Sequence, residues 1–266
     1  MGNLVDYQQQ QTENSNNKMI SDELLNDQIK PYSPDEDKTA QLITLFDKIS
    51  AHYDSFNNVI SWGMAHIWRR KAVSFLKPFS PKKMLDIATG TADMMVVMDK
   101  ILKPEKITGI DISAGMMEIG KQKVAKKQLQ TQTDFLVQDA AALTFEDQSF
   151  DAVTIAFGIR NLEKLSQSLR EINRVIKSGG HFLIIEVNQP EKGIMQMLYK
   201  LYIRIYMLFV TGLLDESDYK YLTNSMSAFP RGKKLIQILQ SYDFKLIKLK
   251  RFTFDVCSAY LLRKIN

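Results

Sequence analysis

Apolar positions alternate with polar ones at two different periods along this chain. Apolar residues first recur at helical spacing between residues 39 and 49. A second helix is predicted for residues 60–75, and it ends near Pro78 because proline cannot continue a helix. We therefore expect residues 38–78 to form an N-terminal helical cap.

Beyond residue 78, short apolar runs alternate with helical periods. Strands are predicted at 82–90 (with a glycine turn at its end), 106–111, 134–139, 150–157 and 181–187. Helices are predicted between them at 94–102, 115–127 and 164–177, the last ending at a Gly179-Gly180 C-cap signal. This alternation is typical of a parallel, doubly wound sheet.

The alternation stops after Pro190, where we place an inserted helical segment over residues 190–230. Its run 193–214 is strongly apolar, but Lys200 and Arg204 share one helical face. Two central cations would be costly inside a bilayer, so we interpret this run as an amphipathic helix packed over the sheet.

The C-terminal part of the chain returns to regular elements, with a helix at 232–244 and an antiparallel pair of strands at 245–252 and 256–264. The pattern as a whole predicts an α/β, Rossmann-like fold. Its sheet is seven-stranded and mostly parallel, with an antiparallel last strand.

Residues 1–37 differ in composition from the rest of the chain. They are rich in Gln, Asn, Asp and Glu and poor in large apolar side chains, which predicts a disordered polar tail before a folded domain at 38–266. The single Cys257 excludes an internal disulfide framework, and the three histidines lie in separate segments. We therefore predict no metal site.

The formal net charge is +5, and lysine and arginine are dispersed along the chain. This excess is too diffuse for a nucleic-acid binder but is compatible with attraction to an anionic membrane surface. The first residues resemble neither a secretory signal nor a mitochondrial transit peptide. We expect a cytoplasmic protein, for which peripheral contact with the inner face of the membrane, and a homodimer, remain open.

Carboxylates at the ends of successive predicted strands indicate the cofactor. Asp86 ends the first strand, Asp111 the second and Asp139 the third, and ligands of doubly wound sheets lie beyond these strand ends. An acid after the second strand can accept hydrogen bonds from a ribose diol. The alternative interpretation for each Asp is a solvated strand-end residue or a helix N-cap.

The turn after the first strand decides between two cofactor classes. A dinucleotide fingerprint laid on it places Ala88, Gly90 and Asp93 at the three glycine positions, and Asp93 would repel a pyrophosphate. A positively charged sulfonium, as in S-adenosylmethionine, meets no such repulsion.

The string DIATGTAD resembles the first motif of the class I methyltransferases, with Ala88 and Ala92 in place of the outer two glycines. The resemblance implies S-adenosyl-L-methionine as cofactor. The predicted cofactor-binding residues are Asp86, Gly90, Thr91, Asp111, Asp139 and Ala140.

Three further blocks resemble the quinone C-methyltransferases of ubiquinone and menaquinone biosynthesis: FDKISAHYDSFNNVISWGMAHIWRR (46–70), TIAFGIRNL (154–162) and ESDYKYLTNSMSAFP (216–230). The resemblance runs from about Thr44 to the C-terminus. It implies ring methylation of a prenylated quinol, such as demethylmenaquinol to menaquinol.

The resemblance also suggests catalytic residues. A ring carbon becomes nucleophilic when an adjacent hydroxyl loses its proton, and Arg160 and Asn161 are placed to hold the resulting oxyanion. Tyr53 and Asp54 lie in the cap. Since arginine cannot accept a proton, Asp54 or a water would have to do so. Tyr53 as a core residue and Arg160 as a solvated charge are the structural alternatives.

The chain departs from the family pattern at two places: Ala156 stands where a serine is common, and Asp255-Val256-Cys257 replaces a glycine-rich start of the last strand. The alternatives within enzymes are a ubiquinone-pathway or dual-specificity benzoquinol methyltransferase and a methyltransferase for another phenolic or lipid acceptor. An inactive methyltransferase fold serving as a scaffold is disfavoured, because the strand-end acids and Gly90 are present.

Overall fold

The computed structural model of the protein describes residues 29–61, 63–188, 197 and 215–265. The α-helices of this part of the chain are α1 (Lys38–Ile49), α2 (Tyr53–Ile60), α3 (Met64–Val73), α4 (Asp93–Leu102), α5 (Ala114–Lys127), α6 (Leu165–Val175), α7 (Glu216–Ala228) and α8 (Lys233–Gln240). Short 3₁₀ turns lie at Ser50–His52, Ser74–Phe79 and Ile159–Asn161.

Seven strands form one sheet: β1 (Lys83–Ile87), β2 (Lys106–Asp111), β3 (Gln132–Val137), β4 (Phe150–Ala156), β5 (Ile176–Val187), β6 (Phe244–Phe252) and β7 (Cys257–Lys264). Their order is β3-β2-β1-β4-β5-β7-β6. Strands β1 to β5 are parallel, and β7 is antiparallel to both of its neighbours, β5 and β6. The predicted α/β fold, with a mostly parallel seven-stranded sheet and an antiparallel last strand, is confirmed.

Helices cover both faces of the sheet because its central strands are apolar on both sides. In β1, Met84 packs into a cluster with Trp68 of α3, whereas Leu85 packs into a second cluster with Leu169 of α6. Successive strand residues point to opposite faces, so this strand needs no polar positions. The three apolar positions of the strand are buried, and its one acid, Asp86, lies near the carboxyl end.

The predicted C-cap at Gly179-Gly180 is wrong. Helix α6 ends at Val175, and β5 begins at Ile176, which pairs with Phe150 before the register shifts. Gly179 has φ +72° inside this strand, and a Cβ on Gly180 would lie 2.9 Å from the carbonyl oxygen of Asp151. The glycine pair therefore allows a bend in β5, close to β4, rather than ending the helix.

Other boundaries shift by a few residues. The helix predicted at 60–75 corresponds to α3, which begins only at Met64 after Gly63 with φ +70°, and the residues before it form the separate helix α2. Strand β3 ends at Val137, so Asp139 lies in the loop beyond it.

Several predicted segments lie wholly or mainly outside the described residues. Of the tail at 1–37, residues 1–28 are outside, and Asp37 caps α1 by accepting a hydrogen bond from the Ala40 amide at 2.8 Å. Of the apolar run 193–214, only Met197 is described. Within the described ranges, no helix is long and apolar enough to cross a membrane.

The described end of the insertion is α7, which packs against the N-terminal cap. Asp218 of α7 accepts hydrogen bonds from Lys48 Nζ at 2.9 Å and from Tyr32 Oη at 2.8 Å. The cap and α7 thus form one layer beside the sheet.

Candidate functional site

A cleft opens where β1, β2 and β4 end, as expected for the ligand edge of a doubly wound sheet. It encloses about 690 Å³, part of which is open to solvent. Phe46 and Tyr53 of the cap line one side, and their rings meet edge to face with centroids 6.3 Å apart.

Every second residue of the turn after β1 has a left-handed backbone conformation. Ala88, Gly90 and Ala92 have φ of +51°, +53° and +63°. Glycine is the residue that adopts this region without a Cβ penalty, which explains why glycine would be favoured at all three positions. The two alanines are thus strained by their backbone conformation, although they are small enough for the space.

Asp111 at the end of β2 holds this turn in place. Its carboxylate accepts hydrogen bonds from the amide of Gly90 at 2.8 Å and from the amide of Ser113 at 2.9 Å. Burial has the larger effect on the pKa of Asp111 and raises it to about 6, although these hydrogen bonds act to lower it. A carboxylate has about four lone-pair positions, so Asp111 keeps acceptor capacity toward the cleft that it lines.

Asp86 supports the same turn from within the sheet. It is 1% exposed and accepts hydrogen bonds from the hydroxyls of Thr89 at 2.7 Å and Thr154 at 2.6 Å. Burial raises the pKa of Asp86 to about 6. Asp86 does not line the cleft, and its partners are Thr89 of the turn and Thr154 of β4.

Asp54 and Thr91 lie in a charged network behind the turn rather than on the cleft wall. The Thr91 hydroxyl donates to Asp54 Oδ1 at 2.5 Å, and Lys123 Nζ lies 2.6 Å from Asp54 Oδ2. Lys123 also lies 2.6 Å from Asp93, which pairs with Arg69 at 3.1 Å. Sequence reasoning missed Lys123, which joins the cap helix α2 to α4 and α5.

Arg160 is a buried guanidinium. Its Nη1 lies 2.5 Å from Glu186 Oε1 and donates to the carbonyl oxygen of Phe157 at 2.9 Å. Burial opposes its charge, but the carboxylate of Glu186 keeps the pKa of Arg160 above its ordinary value. Among the described residues, neither Arg160 Nε nor Glu186 Oε2 has a hydrogen-bond partner.

Glu186 was missed by sequence reasoning, although a carboxylate in the apolar run HFLIIEV was a usable signal. It is 2% exposed, and burial raises its pKa while Arg160 lowers it. Tyr221 of α7 was also missed. Its hydroxyl donates to Asn161 Oδ1 at 3.0 Å, and burial raises the pKa of this phenol.

The predicted site residues fall into two sets. Tyr53, Gly90, Asp111, Asp139, Ala140 and Asn161 line the cleft together. The second set does not line the cleft and comprises Asp54, Asp86, Thr91 and Arg160. These residues lie behind the cleft wall, where they hydrogen-bond to one another, to wall residues or to residues next to the wall in the chain. In the loop after β3, Asp139 accepts a hydrogen bond from the Ala141 amide at 2.8 Å, which orients its side chain.

The charge of the cleft wall favours a cationic ligand. Asp111, Asp139 and Glu163 line it, and no lysine or arginine does so among the described residues. The Glu163 carboxylate already accepts hydrogen bonds from the backbone amides of Lys38 and Thr39, at 3.0 and 3.1 Å. The two aspartates therefore remain as acceptors for a ligand without phosphate groups.

This sheet order, with acids at the strand ends and a glycine turn, defines a Rossmann-like fold of the methyltransferase type. Solved structures with this fold include a SAM-dependent methyltransferase of Thermotoga maritima (TM-score 0.58, 16% identity, 84% of this chain and 99% of that one). A SAM-dependent methyltransferase of Aquifex aeolicus matches with a TM-score of 0.51 and 17% identity, over 68% of this chain and 81% of that one.

Residues 35–264 match the model of the ubiE/COQ5 methyltransferase family, and the chain belongs to this family. It is 40% identical to the demethylmenaquinone methyltransferase of Bacteroides fragilis, over 90% of this chain and 98% of the relative. It is 34% identical to the protein of the same name from Porphyromonas gingivalis, over 88% and 97%. The family expected from the sequence is confirmed, and the protein is an S-adenosylmethionine-dependent methyltransferase.

Proposed function

We propose that this enzyme transfers a methyl group from S-adenosylmethionine to a ring carbon of a prenylated quinol, converting demethylmenaquinol to menaquinol. The observation that carries the proposal is the meeting of two environments at one sheet edge. The cleft wall is acidic, with no cation among its described residues, and it includes Asn161. Asn161 accepts a hydrogen bond from Tyr221 and follows the buried Arg160 in the chain. The relatives named demethylmenaquinone methyltransferase match over nearly their whole length.

The residues of the cleft fit the cofactor. Asp111 would accept hydrogen bonds from the ribose diol, and Asp139 with Ala140 would lie beside the adenine. Gly90 has open space on its Cβ side, so the backbone can come close to the ligand. When bound, S-adenosylmethionine supplies an electrophilic methyl group on a positively charged sulfur, which the acids attract.

The acceptor needs a deprotonated hydroxyl next to the reacting carbon. A fixed positive charge lowers the pKa of a nearby hydroxyl, and Arg160 remains charged at any working pH. Asn161 lines the cleft, and its Oδ1 accepts from Tyr221, which leaves its amide N–H₂ to donate to the forming oxyanion. Both carboxylate oxygens of Asp54 already have a partner, the Thr91 hydroxyl and the Lys123 ammonium, so we assign the released proton to water.

The direct test is methyl transfer from labelled S-adenosylmethionine to reduced demethylmenaquinone, beside a demethylated benzoquinol. We expect transfer to the naphthoquinol. If the cofactor binds while neither quinol is methylated, the substrate assignment is wrong. The variant Arg160→Ala should keep cofactor affinity and lose turnover, and unchanged turnover would remove Arg160 from the mechanism.

A dual enzyme is the second candidate. The chain is 35% identical, over 84% of its length, to a ubiquinone/menaquinone biosynthesis C-methyltransferase of Geotalea daltonii. Transfer to both quinols in the same assay would favour this candidate.

We place the enzyme in the cytoplasm, in peripheral contact with the membrane that holds a prenylated substrate. The apolar sequence at 193–214 supports this placement as a lining for the prenyl chain. Analytical sedimentation would establish the oligomeric state.

A further inference from the structure

The hairpin between β6 and β7 projects an aromatic side chain into solvent. Phe254 at its tip is 77% exposed, the highest value among the large apolar side chains of the described residues. Phenylalanine is usually found inside proteins, so a singly exposed one draws attention only when its surroundings are unusual.

The backbone of this hairpin is unusual. Thr253, Phe254 and Asp255 are consecutive and all have positive φ, of +47°, +53° and +70°. A left-handed residue other than glycine costs roughly 1 kcal/mol, and asparagine or glycine would suit the position of Phe254 better. Since Phe254 packs little surface within the protein, folding alone does not account for its presence at a strained tip.

The hairpin lies at the ligand edge of the sheet. Cys257, the first residue of β7, is paired with Val187 at the carboxyl end of β5. The Thr253 hydroxyl accepts a hydrogen bond from Trp68 Nε1 of α3 at 3.0 Å. The next residue of α3, Arg69, lies over the ring of Phe157 in the cleft wall, 4.9 Å from its centroid. The tip and the cleft therefore belong to the same end of the molecule.

The elements that hold the hairpin carry cations without acids. Residues 64–73, which form α3, contain three lysines and arginines and residues 244–254 contain four, and neither stretch contains Asp or Glu. Four of these cations are close to the hairpin in sequence or follow Trp68 within one helical turn, and all four are exposed: Arg70, Lys71, Lys250 and Arg251.

A role in preventing aggregation at the edge strand β6 explains the exposed lysines but not the exposed Phe254. Lysines on an edge strand such as β6 keep the sheet from pairing with other chains, but they do not require an exposed aromatic tip. Local charge balance is also partial, because Asp255 pairs with Arg251 at 3.5 Å and so offsets one of the four cations. Among the described residues, no acid forms an ion pair with the other three.

We propose that this hairpin docks the enzyme on an anionic lipid bilayer, with Phe254 inserted at the headgroup boundary and the surrounding cations against lipid phosphates. An aromatic side chain flanked by exposed Lys and Arg is the combination that binds such interfaces. Docking at this edge turns the mouth of the cleft toward the membrane. The inference rests on the proposed function, since it states where a prenylated acceptor enters.

Vesicle sedimentation tests the docking directly. Wild type should bind vesicles of phosphatidylcholine with phosphatidylglycerol and bind vesicles of phosphatidylcholine alone more weakly. Phe254→Asn should lower affinity for the anionic vesicles about tenfold, without lowering Tm, because asparagine tolerates a left-handed backbone. The control is Phe79→Asn, since Phe79 is 43% exposed and lies before β1, at the amino ends of the parallel strands. Its ring stacks on that of His181 with centroids 3.7 Å apart, so the Tm of this control is measured beside its binding.

Charge reversal provides a second arm. Lys250→Glu should weaken binding to the anionic vesicles roughly thirtyfold, because loss of one cation near the surface weakens binding about fivefold and the added acid weakens it by about as much again. Lys126→Glu is the control, as an exposed lysine at the C-terminal end of α5. Equal binding by Phe254→Asn and Phe79→Asn, or binding that ignores the anionic lipid, would overturn the proposal.

Activity assays separate this inference from the proposed function. Phe254→Asn should methylate a short-chain, water-soluble quinol at the wild-type rate but lose rate several-fold on a long-chain quinol in vesicles. If wild type methylates no quinol yet needs Phe254 to bind vesicles, the proposed function fails and the docking stands. If quinols are methylated while Phe254→Asn binds vesicles as wild type does, the docking fails alone.

Discussion

Arg160 and Glu186 form an ion pair inside the protein, with Nη1 and Oε1 2.5 Å apart and both side chains less than a tenth exposed. The pair connects the turn after β4 to the end of β5, and it stands next to the cleft wall. A buried guanidinium is strongly destabilising unless a carboxylate balances its charge.

Removing Glu186 should therefore destabilise the fold. Glu186→Ala leaves a buried, unbalanced guanidinium, so we expect the free energy of unfolding to fall by about 3 kcal/mol. The double variant Arg160→Met/Glu186→Leu should recover most of this loss and remain without turnover. Urea denaturation measures both variants. The control is Asp147→Ala, which breaks an exposed pair with Arg174 and should cost at most about 0.5 kcal/mol. Additive losses in the double variant would contradict the ion-pair account.

Cofactor affinity should depend on pH through Asp111. Burial raises the pKa of Asp111 to about 6, so the carboxylate is charged at pH 8 and becomes protonated as pH falls through 6. The neutral acid attracts a sulfonium cation less, so binding should be roughly tenfold weaker at pH 5 than at pH 8. Titration calorimetry at both pH values gives the affinity. Asp111→Asn should bind weakly and keep only the smaller pH dependence that comes from Asp86, whose pKa burial also raises to about 6. A wild-type affinity that is constant over this range would exclude the role of Asp111.

Lys123 should position the cap through Asp54. Its side chain is 16% exposed and lies 2.6 Å from both Asp54 and Asp93. In Lys123→Met these two acids lose their shared cation, so we expect about 2 kcal/mol less stability and several-fold weaker cofactor binding. Amide hydrogen exchange of residues 53–60 should become faster. Lys121→Met, an exposed lysine on the same helix, serves as the control. Unchanged exchange in α2 would show that the cap does not depend on Lys123.

Ala88→Gly should stabilise the protein. Ala88 has φ +51°, and replacing it by glycine removes a left-handed Cβ penalty, a gain of about 1 kcal/mol before the entropy of the unfolded chain is counted. We expect a small rise in Tm. Ala140→Gly is the comparison, because Ala140 also lines the cleft but is not among the residues with positive φ, and it should lower Tm. The same shift in both variants would show that backbone strain at Ala88 does not matter.

The central strands of the sheet were predictable because they are buried on both faces and must be apolar along most of their length. The runs that give β1, β2, β4 and β5 stand out from their polar surroundings. The end of α6 was not predictable in the same way. A glycine pair after a helix usually marks its end, but here Ile176 pairs with Phe150, and the glycines serve the bend that follows.

The cleft followed from the same logic as the sheet. Parallel strands place their carboxyl ends at one edge, so acids at the ends of successive strands meet there, and Asp111 and Asp139 do line one cleft. The assignment of Asp86 to ligand contact went further than the strand position allowed. Burial depth and the direction of its two threonine partners place it behind the turn.

The sequence by itself determined the fold, the cofactor class and the family, because these depend on periodicity, on strand-end residues and on contiguous motifs. Tertiary structure alone decided which polar groups are partners. Glu186 lies 26 residues from Arg160, and Tyr221 lies 60 from Asn161. Lys123 lies 30 residues from Asp93. Such pairs produce no periodic pattern in the sequence, because the two groups meet only after the elements that carry them have packed.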